Sequence, residues 1–194
     1  MNHEKKIEQE AINESVEHLK KGDVILFPSD TIWGLSCDAT NPEAVDKILK
    51  LKGRSEEKSF IVLVNSDRMI NQCVKDFPSV VWDMIDLADK PLTLVLDGGQ
   101  YVAPKVINND GSLGIRNVTS GPIFDLIQKF NKPIVSTSPN FSGKPTPTTF
   151  DAIDEMLKQG VDYIYPNNQK NSSLLAPSKI VRIASNGQVK ILRK

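Results

Sequence analysis

Val24-Ile25-Leu26-Phe27 is a run of large apolar residues cut off by Pro28, and runs like it recur along the chain. A short apolar run bounded by turn formers reads as a strand buried on both faces. Phe60–Val64, Thr93–Leu96, Leu113–Arg116, Pro133–Ser136 and Asp162–Tyr165 repeat the pattern. Helical stretches alternate with them. The first 21 residues carry Ile7, Ala11, Val16 and Leu19 near helical spacing, with Gly22 as a natural stop. Asn41 can cap a second helix, with Pro42 at its first position, Val45, Ile48 and Leu49 on its apolar face and Gly53 at its end. Further helices are expected around Arg68–Val74 and Val80–Ala88, from Ser120-Gly121-Pro122 through Phe130, and over Phe150–Gln159. Strands alternating with helices point to an α/β layered domain. The chain finishes with a hairpin, Ile180–Ile183 and Val189–Leu192 around Ser185-Asn186-Gly187, so the sheet is expected to be mixed.

A length of 194 residues with no repeat or low-complexity linker fits one domain, 1–194. The formal net charge is zero, which removes the signature of a standing polyanion partner but allows a local basic cleft. Cys37 and Cys73 are far apart and form no metal or redox motif, as expected in a reducing cytosol. Met1 to Lys21 is charged and lacks the apolar stretch of a secretory signal. No apolar run approaches the ~18 residues of a membrane span, so a cytoplasmic protein with no membrane partner is expected.

Three polar segments carry the chemistry, each expected where a strand ends, the usual ligand position of open α/β sheets. Pro28-Ser29-Asp30-Thr31-Ile32-Trp33-Gly34-Leu35 reads as a loop presenting Ser29 and Thr31, or as an ordinary turn. Lys50-Leu51-Lys52-Gly53-Arg54-Ser55 is a basic cluster at a helix C-terminus. It can complement the helix dipole, or clamp a triphosphate with Arg54 as a planar fork and Lys52 as a point charge. Ser136 to Thr146 is dense in hydroxyls, amides and glycine and can cradle phosphate or ribose, or serve as a polar surface loop. The chain has no P-loop, no dinucleotide fingerprint, and only His3 and His18 as histidines, both in the first helix. Catalysis by positioning and electrostatics fits this set better than a triad or a zinc site.

Taken together, the segments resemble the YrdC-like family of threonylcarbamoyl-AMP synthases. Pro28 to Leu35 matches its P-[ST]-[DE]-T-x-[YW]-G-L loop, and Lys52-Gly53-Arg54 matches K-x-R at the end of the next helix. Gly114-Ile115-Arg116 matches G-[IV]-R, and Ser138-Pro139-Asn140 with Ser142-Gly143 matches S-x-N before S-G. Pro177-Ser178 and Leu192-Arg193 match the P-S and terminal L-R elements, all in family order from residue 24 to 193. The resemblance implies a twisted, open mixed α/β sheet with flanking helices around a polar, partly basic cavity. It implies that L-threonine, bicarbonate or CO2, and ATP with Mg²⁺ give threonylcarbamoyl-AMP and pyrophosphate. Separate transfer machinery would then modify an adenosine beside the tRNA anticodon, with at most a weak direct contact to tRNA. By the same resemblance, Thr31, Arg116, Ser136 and Ser178 would hold threonine. Lys52, Arg54, Ser112, Ser138, Asn140, Thr146 and Arg193 would hold ATP, with Lys52 and Arg54 stabilising the charge developing on the phosphates. Mg²⁺ would arrive on the phosphates without dedicated protein ligands. No general base stands out; Asp30 is a candidate beside its ordinary role of capping its own turn.

The chain departs from the family pattern at Asp89-Lys90-Pro91, Lys58, Pro139 and Lys179, which bears on ligand geometry more than on reaction class. The alternatives are a paralogue that binds nucleotide or RNA without this synthesis, and a carbamoyl-transfer module of the kind found in larger chains.

Overall fold

The computed structural model describes residues 3–53, 60–166 and 177–194. Helix α1 (His3–Lys20) stops as its sequence predicts. Gly22 has φ +76°, and Gly22 N–H donates to the Leu19 carbonyl while Asp23 N–H donates to that of His18, closing a Schellman motif. Strand β1 (Ile25–Pro28) turns through four residues into strand β2 (Trp33–Asp38). Helix α2 (Pro42–Leu51) follows, with the Asn41 side chain accepting from Glu43 N–H at 3.0 Å and Ala44 N–H at 3.1 Å. Strand β3 (Ile61–Val64), helices α3 (Asp67–Cys73) and α4 (Val80–Asp86), strand β4 (Leu92–Leu96), the short 3₁₀ turn Pro104–Val106 and strand β5 (Leu113–Asn117) come next. Helix α5 (Pro122–Phe130), strand β6 (Ile134–Thr137), helix α6 (Glu155–Gly160), strand β7 (Tyr163–Ile164) and the hairpin β8 (Lys179–Ile183) and β9 (Val189–Arg193) complete the chain.

The strands form one nine-stranded mixed sheet in the order β7-β1-β2-β6-β3-β5-β4-β8-β9. Three pairs are parallel (β1 with β7, β3 with β5, β4 with β8) and the others among the described strands are antiparallel. Helices α1 and α5 pack on each other and against β1, and α2 packs against β2. Leu19, Ile25, Leu26, Phe27, Ile48 and Leu63 are among the fully buried side chains that fill the core.

Two elements of the fold depart from the sequence reading. Pro28 to Leu35 is not all loop: Trp33 onward is a strand, buried at every position. Trp33-Gly34-Leu35-Ser36-Cys37-Asp38 alternates large apolar with small or polar residues, a strand period overshadowed by the turn formers before it. Its pairing with β1 on one side and β6 on the other makes it a strand. The helix expected from Phe150 begins only at Glu155, where Asp154 caps it by accepting from Met156 N–H at 2.9 Å. Phe150 instead tilts against Trp33, ring centroids 4.8 Å apart.

Candidate active site

The register of the central strands builds the floor of a cavity. Ser136 on β6 faces Ile61 on β3, Ile61 faces Gly114 on β5, and Gly114 faces Val95 on β4. Residues directly opposite share a face of the sheet. All four line one cavity of about 470 Å³, joined by Trp33 on β2, Ile180 on β8 and Leu192 on β9. The cavity therefore lies across the sheet, not in the strand-end crevice expected from the polar segments. Gly114 on the floor, and Gly34 beside Ser136, sit where a side chain would clash. A Cβ on Gly114 would lie 2.9 Å from the Phe60 carbonyl oxygen, and one on Gly34 would lie 2.4 Å from Ser136 Oγ. Gly34→Ala is expected to fold, because a hydroxyl can swing aside, but to displace Ser136. Its KM for the ligand that Ser136 touches should rise about tenfold, corresponding to one lost hydrogen bond; steady-state kinetics would show it.

At one end stand Arg116, Thr31 and Ser178. The β1–β2 turn is held by Ser29, not by Asp30. Ser29 Oγ donates to the Ile32 carbonyl at 2.6 Å and accepts from Thr31 N–H at 3.1 Å and Ile32 N–H at 3.2 Å. Thr31 Oγ1 lies 3.0 Å from Ser29 Oγ. Asp30 is thereby spared for Arg116, whose Nη2 lies 2.9 Å from Asp30 Oδ1. The contact is an ion pair by distance but lacks hydrogen-bond alignment, and Arg116 Nε is buried with no hydrogen-bond partner among the described residues. Burial raises the Asp30 carboxyl above its usual range despite the neighbouring guanidinium, and burial lowers Arg116 despite the carboxylate, with Arg193 lowering it further. Desolvation thus outweighs mutual attraction for both partners, an expensive arrangement of the kind found at binding sites. Asp30 stays behind Arg116, outside the cavity lining. Ser178 is fixed from two sides. Its Oγ lies 2.8 Å from Thr93 Oγ1, and its carbonyl accepts from Arg193 Nε at 2.9 Å and Nη2 at 2.8 Å.

At the other end the Ser138–Thr146 loop folds over the C-terminus of α2. Lys52 is buried, and its ammonium donates to the Ser138 carbonyl and, at 2.8 Å, to that of Asn140, while its own carbonyl accepts from Ser142 N–H at 3.1 Å. Asn140 Nδ2 donates to the carbonyls of Phe141 at 3.2 Å and Lys144 at 2.7 Å. Its buried Oδ1 has no partner among the described residues and is available to accept from a ligand.

Of the residues singled out in the sequence, Thr31, Lys52, Arg116, Ser136 and Ser138 line this cavity, and so do Asn140, Thr146, Ser178 and Arg193. Ser112 does not. It is buried beside β5, where its Oγ donates to Asp110 at 2.6 Å and receives the Asn108 amide at 2.9 Å. With Arg182 also on Asp110, this network holds the Asp110 carboxyl low, at about 2, a structural task. Arg54 and Lys58 lie outside the described residues. Thr93 and Lys144 also line the cavity and were not singled out. Thr93 sits inside an apolar strand run, where only its fixed partner reveals it.

Residues 17–194 match the Sua5/YciO/YrdC family profile, described as telomere recombination. The chain belongs to the Sua5/YciO/YrdC family. A family relative named threonylcarbamoyl-AMP synthase, from Hahella chejuensis, is 35% identical over 182 residues, covering 92% of this chain and 96% of its own. The structure of P. abyssi Sua5 complexed with L-threonine superposes with a TM-score of 0.82 at 22% identity, covering 94% of this chain and 53% of that one. This chain therefore spans about half the length of that relative. E. coli YciO superposes with a TM-score of 0.81 at 20% identity, covering 96% of this chain and 89% of its own. At these identities the solved structures speak for the Sua5/YciO/YrdC fold. Among the described residues no helix is long and apolar enough to cross a membrane, and no group of three His, Cys, Asp or Glu side chains is placed to hold a metal.

Proposed function

We propose that the protein is an L-threonylcarbamoyladenylate synthase, joining L-threonine, CO2 or bicarbonate and ATP into threonylcarbamoyl-AMP with release of pyrophosphate. The observation that carries this reading is a single cavity with two chemically different ends. A buried arginine whose Nε has no partner among the described residues suits a carboxylate, and a polar loop stapled to a helix C-terminus suits a nucleotide. The relatives' names and the threonine-bound P. abyssi structure support it.

Arg116 takes the threonine carboxylate, while the hydroxyls of Thr31, Ser136 and Ser178 surround the rest of the amino acid. Ser138, Asn140 and Thr146 hold the nucleotide, and Arg193 reaches it from β9. Lys52 acts on the phosphates, and Arg54, two residues on in the sequence, is assigned the same task. Mg²⁺ comes bound to the triphosphate as part of the substrate, because the described lining offers cations, hydroxyls and amides in place of carboxylates. The threonine amine adds to CO2, loses a proton and becomes a carbamate. A carbamate oxygen attacks the α-phosphorus and the bond to pyrophosphate breaks. Holding the reactants in one cavity supplies up to about 7–11 kcal/mol of the barrier reduction in favourable cases, and the cations around the phosphates offset the growing charge. The product is consumed by separate transfer machinery acting on tRNA in the cytosol, where the free, buried Cys37 and Cys73 stay reduced.

The test is pyrophosphate release from ATP and bicarbonate, with L-threonine present, omitted, or replaced by L-serine. Release that requires threonine and falls at least tenfold with serine is the expected result. A folded, ATP-binding protein that releases none overturns the reading in favour of a binding-only paralogue.

A further inference from the structure

We infer that Asp30 is a positioning residue for the amino-acid end of the cavity: it holds the Arg116 guanidinium where Arg116 lines the cavity and can meet the substrate carboxylate. The inference rests on the reading of that end as the threonine site. Arg116 comes from β5, but nothing in β5 dictates where its long side chain points. Its side chain is 4% exposed, so its rotamer is set by what surrounds it. Arg193 faces the same end and repels it, as the lowering of Arg116 by its charge records. Without an opposing charge, the guanidinium would gain by turning away from Arg193 toward solvent. Asp30, which does not line the cavity, supplies that charge at 2.9 Å from Nη2.

The contact engages one corner of the guanidinium and leaves Nε without a partner among the described residues. A guanidinium binds a carboxylate best with two parallel N–H groups along one edge. Holding Nη2 from one side keeps the guanidinium at the cavity that Arg116 lines. Asp30 can do this because Ser29 already closes the turn through its own hydroxyl, a task an aspartate in such a turn ordinarily performs. Asp30 lies outside the cavity lining and acts through Arg116, so its loss should be felt by the amino acid and not by the nucleotide.

The experiment measures L-threonine and ATP affinity by calorimetry, and KM for each, in the full chain carrying Asp30→Asn or Asp30→Glu. Asparagine keeps the shape and loses the charge; glutamate keeps the charge. The expected result is a tenfold or greater loss of L-threonine affinity in Asp30→Asn, with ATP affinity within twofold of the wild type and the melting temperature preserved. Asp30→Glu should recover at least part of the loss. Equal threonine binding by wild type and Asp30→Asn overturns the inference alone. Parallel weakening of both ligands with a lowered melting temperature also overturns it, because that is what a merely structural carboxylate would give. A folded wild type that binds no L-threonine overturns the reading of the site, and this inference with it.

Discussion

Arg116→Ala is expected to lower kcat/KM for L-threonine by at least ~30-fold while leaving ATP binding nearly intact. Truncating one partner of a buried, charge-assisted pair costs about 2–5 kcal/mol, roughly 30- to 5,000-fold. The side chain is almost wholly buried, so water cannot replace it cheaply. The variant should still fold. Removing the guanidinium strands Asp30, but burial already holds that carboxyl above its usual range, so it can take up a proton instead of remaining an uncompensated charge. Calorimetry with each ligand separately, beside a melting curve, checks the expectation. Unchanged threonine binding would remove Arg116 from the site.

Lys52→Met should act on both ligand binding and fold. The sequence offers Lys52 as a point charge for phosphate, and the structure gives its ammonium a second task, since it bonds the carbonyls of Ser138 and Asn140. Methionine fills a similar slot but leaves both carbonyls without that donor. An orphaned buried acceptor costs about 1–3 kcal/mol. For a chain of this size each kcal/mol lowers the melting temperature by about 2–4 °C. A drop of several degrees is therefore expected, together with a tenfold or larger rise in KM for ATP as the loop loses its anchor. Thermal denaturation and nucleotide titration separate the two effects. A variant that loses ATP use with an unchanged melting temperature would show that phosphate contact is the dominant role of Lys52.

These outcomes also show where the sequence was legible. The ends of α1 and α2 could be read from local chemistry, because Gly22 and Asn41 act within a few residues of themselves. So could the apolar strands, since a continuous run has one economical fate. Strand β2 was only half legible: Trp33, Leu35 and Cys37 alternate with Gly34, Ser36 and Asp38, but the turn formers before them masked that period, and only the pairing with β1 and β6 buries all six positions. Most of the residues flagged for ligand binding did converge on one cavity, but Ser112 turned to Asp110 instead, a partner visible only once the loop before β5 was folded.

The sequence alone determined the layered α/β class, the mixed sheet and the set of polar residues available for chemistry, because propensity, patterning and turn chemistry act over short distances along the chain. Tertiary structure decided where that chemistry happens. The floor of the cavity is a row of residues drawn from β6, β3, β5 and β4, far apart in sequence and brought level by strand register. The pairing of Asp30 with Arg116, and of Lys52 with the carbonyls of Ser138 and Asn140, likewise joins distant segments. A side chain's partner across such a distance depends on how the whole sheet assembles, and no local pattern encodes it.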